Sequence, residues 1–121
     1  MPELITAPHR IPVPGGKVID EFVGRVATGS DAVSVAVMSA PAGWDEPAQQ
    51  PEFDEITVVL EGEVLVEHDG GTTRVPAGQA VLTRAGERVR YSVGAQGARY
   101  VAVCLPAFSP DTVHRDDEED A

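Results

Sequence analysis

Asp54 and Glu55 stand side by side at the head of an apolar run, EITVVLEGEV. In a strand, successive side chains point to opposite faces, so Glu55, Thr57 and Val59 share one face and Ile56, Val58 and Leu60 the other. A carboxylate on an inward face has two chemical uses. It ligates a metal ion together with other His, Cys, Asp or Glu side chains. Alternatively it stays unliganded, and burial raises its pKa toward the range useful for general acid–base work. The chain holds three histidines, His9, His68 and His114, and one cysteine, Cys104. His9 lies in an N-terminal stretch, His114 near an acidic run, and His68 on a segment leading into a turn. Asp54 reads as a loop-end residue that faces solvent or a backbone donor.

The elements that must position Glu55 are short and rich in valine. Glycines (12) and prolines (10) punctuate the 121 residues at close intervals, and no window of helix length carries a 3.6-residue period. Ala32 to Ala40 alternates as a strand. Glu55 to Gly62 and Glu63 to Gly71 read as a hairpin about Glu61-Gly62, and Asp69-Gly70-Gly71 as a second hairpin turn. Lys17 to Ala27 is compatible with helix or strand. Gln79 to Val93 holds two strands broken at Ala85-Gly86, and Ala98 to Ala107 is a last strand ended by Pro106. At least seven short strands separated by turns predict an all-β fold, an antiparallel sandwich or barrel in one domain. Residues 1–16 read as an N-terminal arm, 17–110 as the barrel and 111–121 as an acidic tail. A loop rich in proline and polar residues, 41–54, opens into the Glu55 strand.

Composition excludes several classes. Lys plus Arg total 9 against 20 Asp plus Glu, a formal charge of −11, and five of the acidic residues form the run Asp116 to Asp120. So acidic a chain lacks the basic stripe that tracks phosphates, and nucleic acid or an acidic membrane surface is not expected as a partner. One cysteine allows no internal disulfide, which fits a reducing cytoplasm. No secretory signal or membrane span is read. Phosphate-binding glycine loops, a C-x-x-C pair and a G-x-S-x-G elbow are missing from the sequence.

The spacing of Gly43, Gln49, Pro51, Glu55 and Gly62 resembles the first motif of the cupin superfamily, G-x5-H-x-H-x3-E-x6-G. Gly78, Arg84, Gly86, Val89 and Val93 fall on the second, G-x5-P-x-G-x2-H-x3-N. With an apolar residue at the second-motif histidine, the chain is most similar to the cupins of ethanolamine-utilisation proteins, over roughly residues 32 to 115. The resemblance implies a jelly-roll β-barrel whose lumen faces Glu55. It also implies that three of four usual metal ligands are replaced, by Gln49, Pro51 and Val89. Proline and valine side chains cannot ligate, so no metal and no other cofactor is expected at the barrel centre. A different site using His68 or His114 stays open.

The same resemblance turns Val89, Tyr91 and Val93 toward the lumen, where Tyr91 or Gln49 is placed to hydrogen-bond Glu55. Arg88 and Arg90 fall on the outer face. Trp44 and Gln49 come from the entrance loop, and Thr57 and Tyr100 share lumen-facing strand positions. Glu55 and Tyr91 are therefore the catalytic candidates, and Trp44, Gln49, Thr57, Val89 and Tyr100 the ligand-binding ones. Cys104 reads as a buried filler. Three functions follow. The first is a metal-independent lyase, isomerase or cyclase using Glu55 as acid and base. The second is a non-catalytic ligand-binding or sensory module. The third is a structural homodimer with a filled lumen. A small-molecule ligand and a homodimer are the partners expected.

Overall fold

The structure, a computed structural model, describes residues 1–116. Seven strands and no helix occur among them: β1 (His9–Ile11), β2 (Val18–Val23), β3 (Ser34–Ala40), β4 (Asp54–His68), β5 (Gly71–Pro76), β6 (Ala80–Thr83) and β7 (Arg90–Leu105). All pairings are antiparallel, in the order β1-β2-β3-β7-β4-β5, with β6 also on β4. The long strands β4 and β7 pair along most of their length. The other edge of β4 is shared, with β6 on Glu55 to Val58 and β5 on Glu63 to His68.

Valine-rich period-2 patterning builds the interior. Val59, Val64, Val66, Val75, Val89 and Val93 are buried in one cluster with Tyr91 and Tyr100. A fully buried valine contributes about 1.5–3 kcal/mol relative to exposure. A second, smaller cluster joins Phe53, Cys104 and Val113, with Phe108 packed against it.

Three sequence expectations change. Glu61-Gly62 is not a hairpin turn, because β4 runs straight through it with register shifts between Val59 and Glu61 and between Gly62 and Val64. Gly62 has φ +76, and a Cβ there would stand 2.1 Å from the Gly97 carbonyl oxygen. The glycine marks a close approach of β4 to β7 rather than a reversal. For the same reason the two segments read on either side of Gly94 to Gly97 are one strand, β7. Finally, the packed chain does not end at residue 110. Val113 is buried, and Gln49 forms a bridge with Arg115. The expectation of an acidic solvated tail falls, beyond Asp116, outside the described residues. At the other end, residues 9–11 of the arm are an edge strand on β2.

Candidate functional site

Three parts of the chain converge on the Glu55 face of β4. The first is the entrance loop, which runs antiparallel to the beginning of β7 and is pinned to it by backbone. The Gln49 N–H donates to Val89 O (2.8 Å), the Val89 N–H to Gln49 O (2.9 Å) and the Val93 N–H to Trp44 O (3.0 Å). This pairing turns Trp44, Glu46 and Gln49 onto a shared cavity. The second part is the Pro-Gly-Gly turn before β2. Gly15 and Gly16 adopt φ +84 and +78, conformations that favour glycine, and deliver Lys17 to the cavity wall. The third is the segment after β7, which brings in Arg115.

The cavity encloses about 520 Å³. That is within the range of small-molecule sites, and its wall is mostly apolar. Glu55 lies on this wall, half-buried, with its exposure through the cavity itself. No hydrogen bond reaches the Glu55 side chain among the described residues. Burial, and secondarily the nearby Glu46, push its pKa up from 4.5 to about 7, while Lys17 and Arg115 pull in the opposite direction.

The cations are held differently. Lys17 Nζ stands 4.0 Å from the centroid of the Trp44 ring and 5.6 Å from that of Tyr100, so its ammonium lies against aromatic faces. Burial lowers its pKa; Glu46 and Glu55 oppose that shift. Arg115 donates to Gln49 Oε1 at 3.0 and 3.3 Å and pairs with Glu46 at 3.4 Å. Burial pushes the Tyr91 and Tyr100 hydroxyls and the Cys104 thiol upward, so all three are neutral at ordinary pH.

Of the residues singled out in the sequence, Glu55, Tyr91, Trp44, Gln49 and Tyr100 line the cavity. Thr57 and Val89 do not: both are buried in packing off the cavity wall. The expected hydrogen bond from Tyr91 or Gln49 to Glu55 is not formed. The Tyr91 hydroxyl pairs with Thr83 Oγ1 at 2.9 Å, and the Gln49 oxygen is taken by Arg115. Asp54 accepts from the Ala85 N–H at 2.8 Å. His114 pairs with Glu52, and His68 contacts Thr73 and Gly70 on the exposed side of the hairpin. Arg90 bridges Asp45 and Glu67, and Arg88 reaches Asp116.

Lys17, Glu46 and Arg115 were missed in the sequence. One signal was available for the first: Lys17 is the chain's only lysine and is set between a glycine turn and an apolar strand.

The donor set at the barrel centre does not fit the metal that the cupin pattern implies. Glu55 keeps its ligand position, but Gln49 is engaged with Arg115, and Pro51 and Val89 offer no side-chain donor. Among the described residues no three His, Cys, Asp or Glu side chains are grouped to hold an ion. No helix among them is long and apolar enough to cross a membrane.

Comparison with known proteins agrees with the fold. The chain is 25% identical to an ethanolamine utilization protein Q from Salmonella typhimurium, with a TM-score of 0.60 over 76% of this chain and 71% of that one. An RmlC-like cupin from Shewanella frigidimarina shares the fold with a TM-score of 0.73 at 14% identity, over 87% of this chain and 89% of the other. An endoribonuclease YbeY of Myxococcus xanthus is 50% identical over 105 residues, which are 86% of this chain. The chain spans only 36% of the length of that curated relative. The model of the family described as ethanolamine utilisation protein EutQ matches residues 30–109, and the chain belongs to that family of cupin barrels.

Proposed function

We propose that the chain is a small-molecule-binding cupin that works without a metal, with Glu55 as the acid–base group of the lumen. The observation that carries this reading is a half-buried carboxyl on the cavity wall, without a hydrogen-bond partner among the described residues, whose pKa of about 7 lets it give or take a proton near neutrality. Trp44 and Tyr100 form aromatic wall, and Tyr91 frames Glu55 from β7. Native mass spectrometry of the purified protein, with metal analysis of the same sample, identifies what the cavity carries. Turnover of that molecule is expected to fall by roughly 10²- to 10⁴-fold in Glu55→Gln, the usual scale of a general acid–base group. Undiminished turnover in that variant, or a stoichiometric transition metal, overturns the reading.

One observation favours the sensory alternative. The Myxococcus relative carries its matching segment within a much longer chain named as an endoribonuclease. A chain of net charge −11 is poorly suited to holding RNA itself. On this reading the barrel is an accessory module that reports a ligand to a catalytic partner. Ligand binding with no turnover of any candidate, surviving in Glu55→Gln, supports this alternative.

The cavity is open space, which argues against a filled-lumen structural role. We also propose a homodimer through the outward face of β4, β6 and β7. Registers Ile56↔Leu82, Ile56↔Val103 and Val58↔Val101 place these side chains side by side, and Val58, Leu60, Leu82 and Leu105 are exposed. This patch carries no charge on a strongly acidic chain, so two copies meet there with least repulsion. Leu82→Lys is expected to give monomers in sedimentation; an unchanged mass, or a monomeric parent protein, refutes the contact.

A further inference from the structure

We infer that the cavity takes an organic monoanion, a carboxylate with an apolar body, seated on Lys17 and bound together with a proton on Glu55. The inference rests on the small-molecule reading above and names its ligand class.

Charge accounting carries it. Arg115 and Glu46 compensate each other, and Arg115 is further committed to Gln49. None of the ion pairs among the described residues involves Lys17. The chain's one lysine ammonium is thus placed against Trp44 and Tyr100, facing a cavity of about 520 Å³. A lysine in such a place is costly unless its charge meets an opposite one. Glu21 and Arg25, also on the wall, cancel in formal charge, and Asp45 is paired with Arg90, so Glu55 is the remaining charge. With Glu55 neutral the site carries one uncompensated positive charge and suits a single carboxylate. With Glu55 ionised the site is neutral and offers a second anion no net attraction.

The groups facing Glu55 fix the sign of this coupling. Tyr91 and Cys104 approach from β7 and are neutral, and Thr83 from β6 does not titrate. Glu46, Lys17 and Arg115 approach from the entrance loop, the turn before β2 and the segment after β7. A new anion beside Glu55 adds a like charge, which favours its protonated form. Binding above neutral pH therefore draws a proton from solvent. The body of the ligand lies against Ile19, Met38, Trp44 and Tyr100, which selects an apolar or aromatic skeleton over a hydroxylated one.

The test uses three matched probes: 3-phenylpropionate, 3-phenylpropionamide and 3-phenylpropylamine. Trp44 is the only tryptophan, so its fluorescence reports the site directly. The acid is expected to bind at least tenfold more tightly than the amide or the amine. Lys17→Met removes that preference, and Lys17→Arg restores part of it. Calorimetry at pH 8 in two buffers of different ionisation enthalpy is expected to show proton uptake with the acid, and none in Glu55→Gln. Equal affinity for acid and amide, an acid preference that survives Lys17→Met, or no proton uptake overturns the inference. Should the amide or amine bind while the acid does not, the cavity still binds small molecules and only the anion reading falls. Should none bind, the anion reading falls, and failure of toluene as well removes the small-molecule reading.

Discussion

Glu21 and Glu55 are two carboxylates on the wall of one cavity, and the chain treats them in opposite ways. Glu21, on β2, is buried and held by backbone. Its Oε2 accepts from the backbone N–H groups of Val26 (3.1 Å) and Ala27 (2.8 Å), in a loop that folds back over it. Glu55, on β4, is given no donor among the described residues. Satisfying a buried carboxylate with backbone amides makes it part of the scaffold. Withholding them leaves the charge costly and the proton movable. Structural and chemical roles are thus separated by hydrogen-bond supply, although the residue type is the same and both line one cavity.

Removing Glu21 breaks that comparison most directly. Glu21→Leu deprives two partly buried amides of their acceptor and is expected to cost roughly 2–6 kcal/mol, at about 1–3 kcal/mol per unmet donor. Glu21→Gln keeps an accepting oxygen and is expected to cost less. Urea unfolding of both variants measures the difference, and equal losses would show that the two hydrogen bonds matter little.

Glu55→Gln is expected to act in the other direction and to depend on pH. The folded value of about 7 is above the ordinary 4.5, so the unfolded chain releases its proton first as pH rises. The stability linked to the protonated group is fully present below about pH 4.5. It drains away as pH rises toward 7 and is flat beyond. The span is worth up to about 3 kcal/mol. The variant's stability relative to the parent is therefore expected to improve between pH 5 and pH 8, read from paired unfolding curves. A difference independent of pH would mean that Glu55 is solvated or hydrogen-bonded after all.

Gly24→Ala attacks the Glu21 loop from its backbone. Gly24 has φ +152, and a Cβ there would lie 2.6 Å from Glu21 Oε1. Strain of this kind costs about 1–3 kcal/mol. If the loop holds Glu21 as described, Glu21→Leu largely absorbs the steric part, so the double variant loses less than the sum of the single ones. Strict additivity in that cycle would uncouple the glycine from the carboxylate.

What could be read in advance follows from how local each signal is. Period-2 alternation about Glu55 is local, and it assigned Thr57 and Val59 to the inner face with Glu55 and Val58 and Leu60 to the outer face, as the burial of β4 has it. Turn chemistry at Asp69-Gly70 is local too. Gly62 misled because a glycine after glutamate looks the same in a turn and at a close approach to Gly97, 35 positions away in the chain though adjacent in space. The cations of the site were illegible for a related reason. Lys17 and Arg115 come from opposite ends of the chain and meet only through the sheet order, which no short-range pattern encodes. Arg115 was further masked by the acidic run beside it, while the buried Val113 was the overlooked sign that the chain was still packed.

Thr57 sharpens the contrast at its smallest scale. It is fully buried next to Glu55 in β4, and its Oγ1 has no hydrogen-bond partner. An orphan hydroxyl, unlike an orphan carboxyl, cannot lower its cost by taking a proton. It has no route to the cavity wall either, so nothing in the site uses it. Replacing it with the isosteric valine removes the unmet polar atom and leaves the packing volume unchanged. Thr57→Val is therefore expected to stabilise the fold by about 1 kcal/mol, the lower end of the penalty for an unsatisfied buried group. The gain is expected to be the same at pH 5 and pH 8, in contrast to Glu55→Gln, and thermal unfolding at the two pH values separates them. A loss of stability instead would mean that the hydroxyl is engaged, and that hydrogen-bond supply on this strand does not single out Glu55.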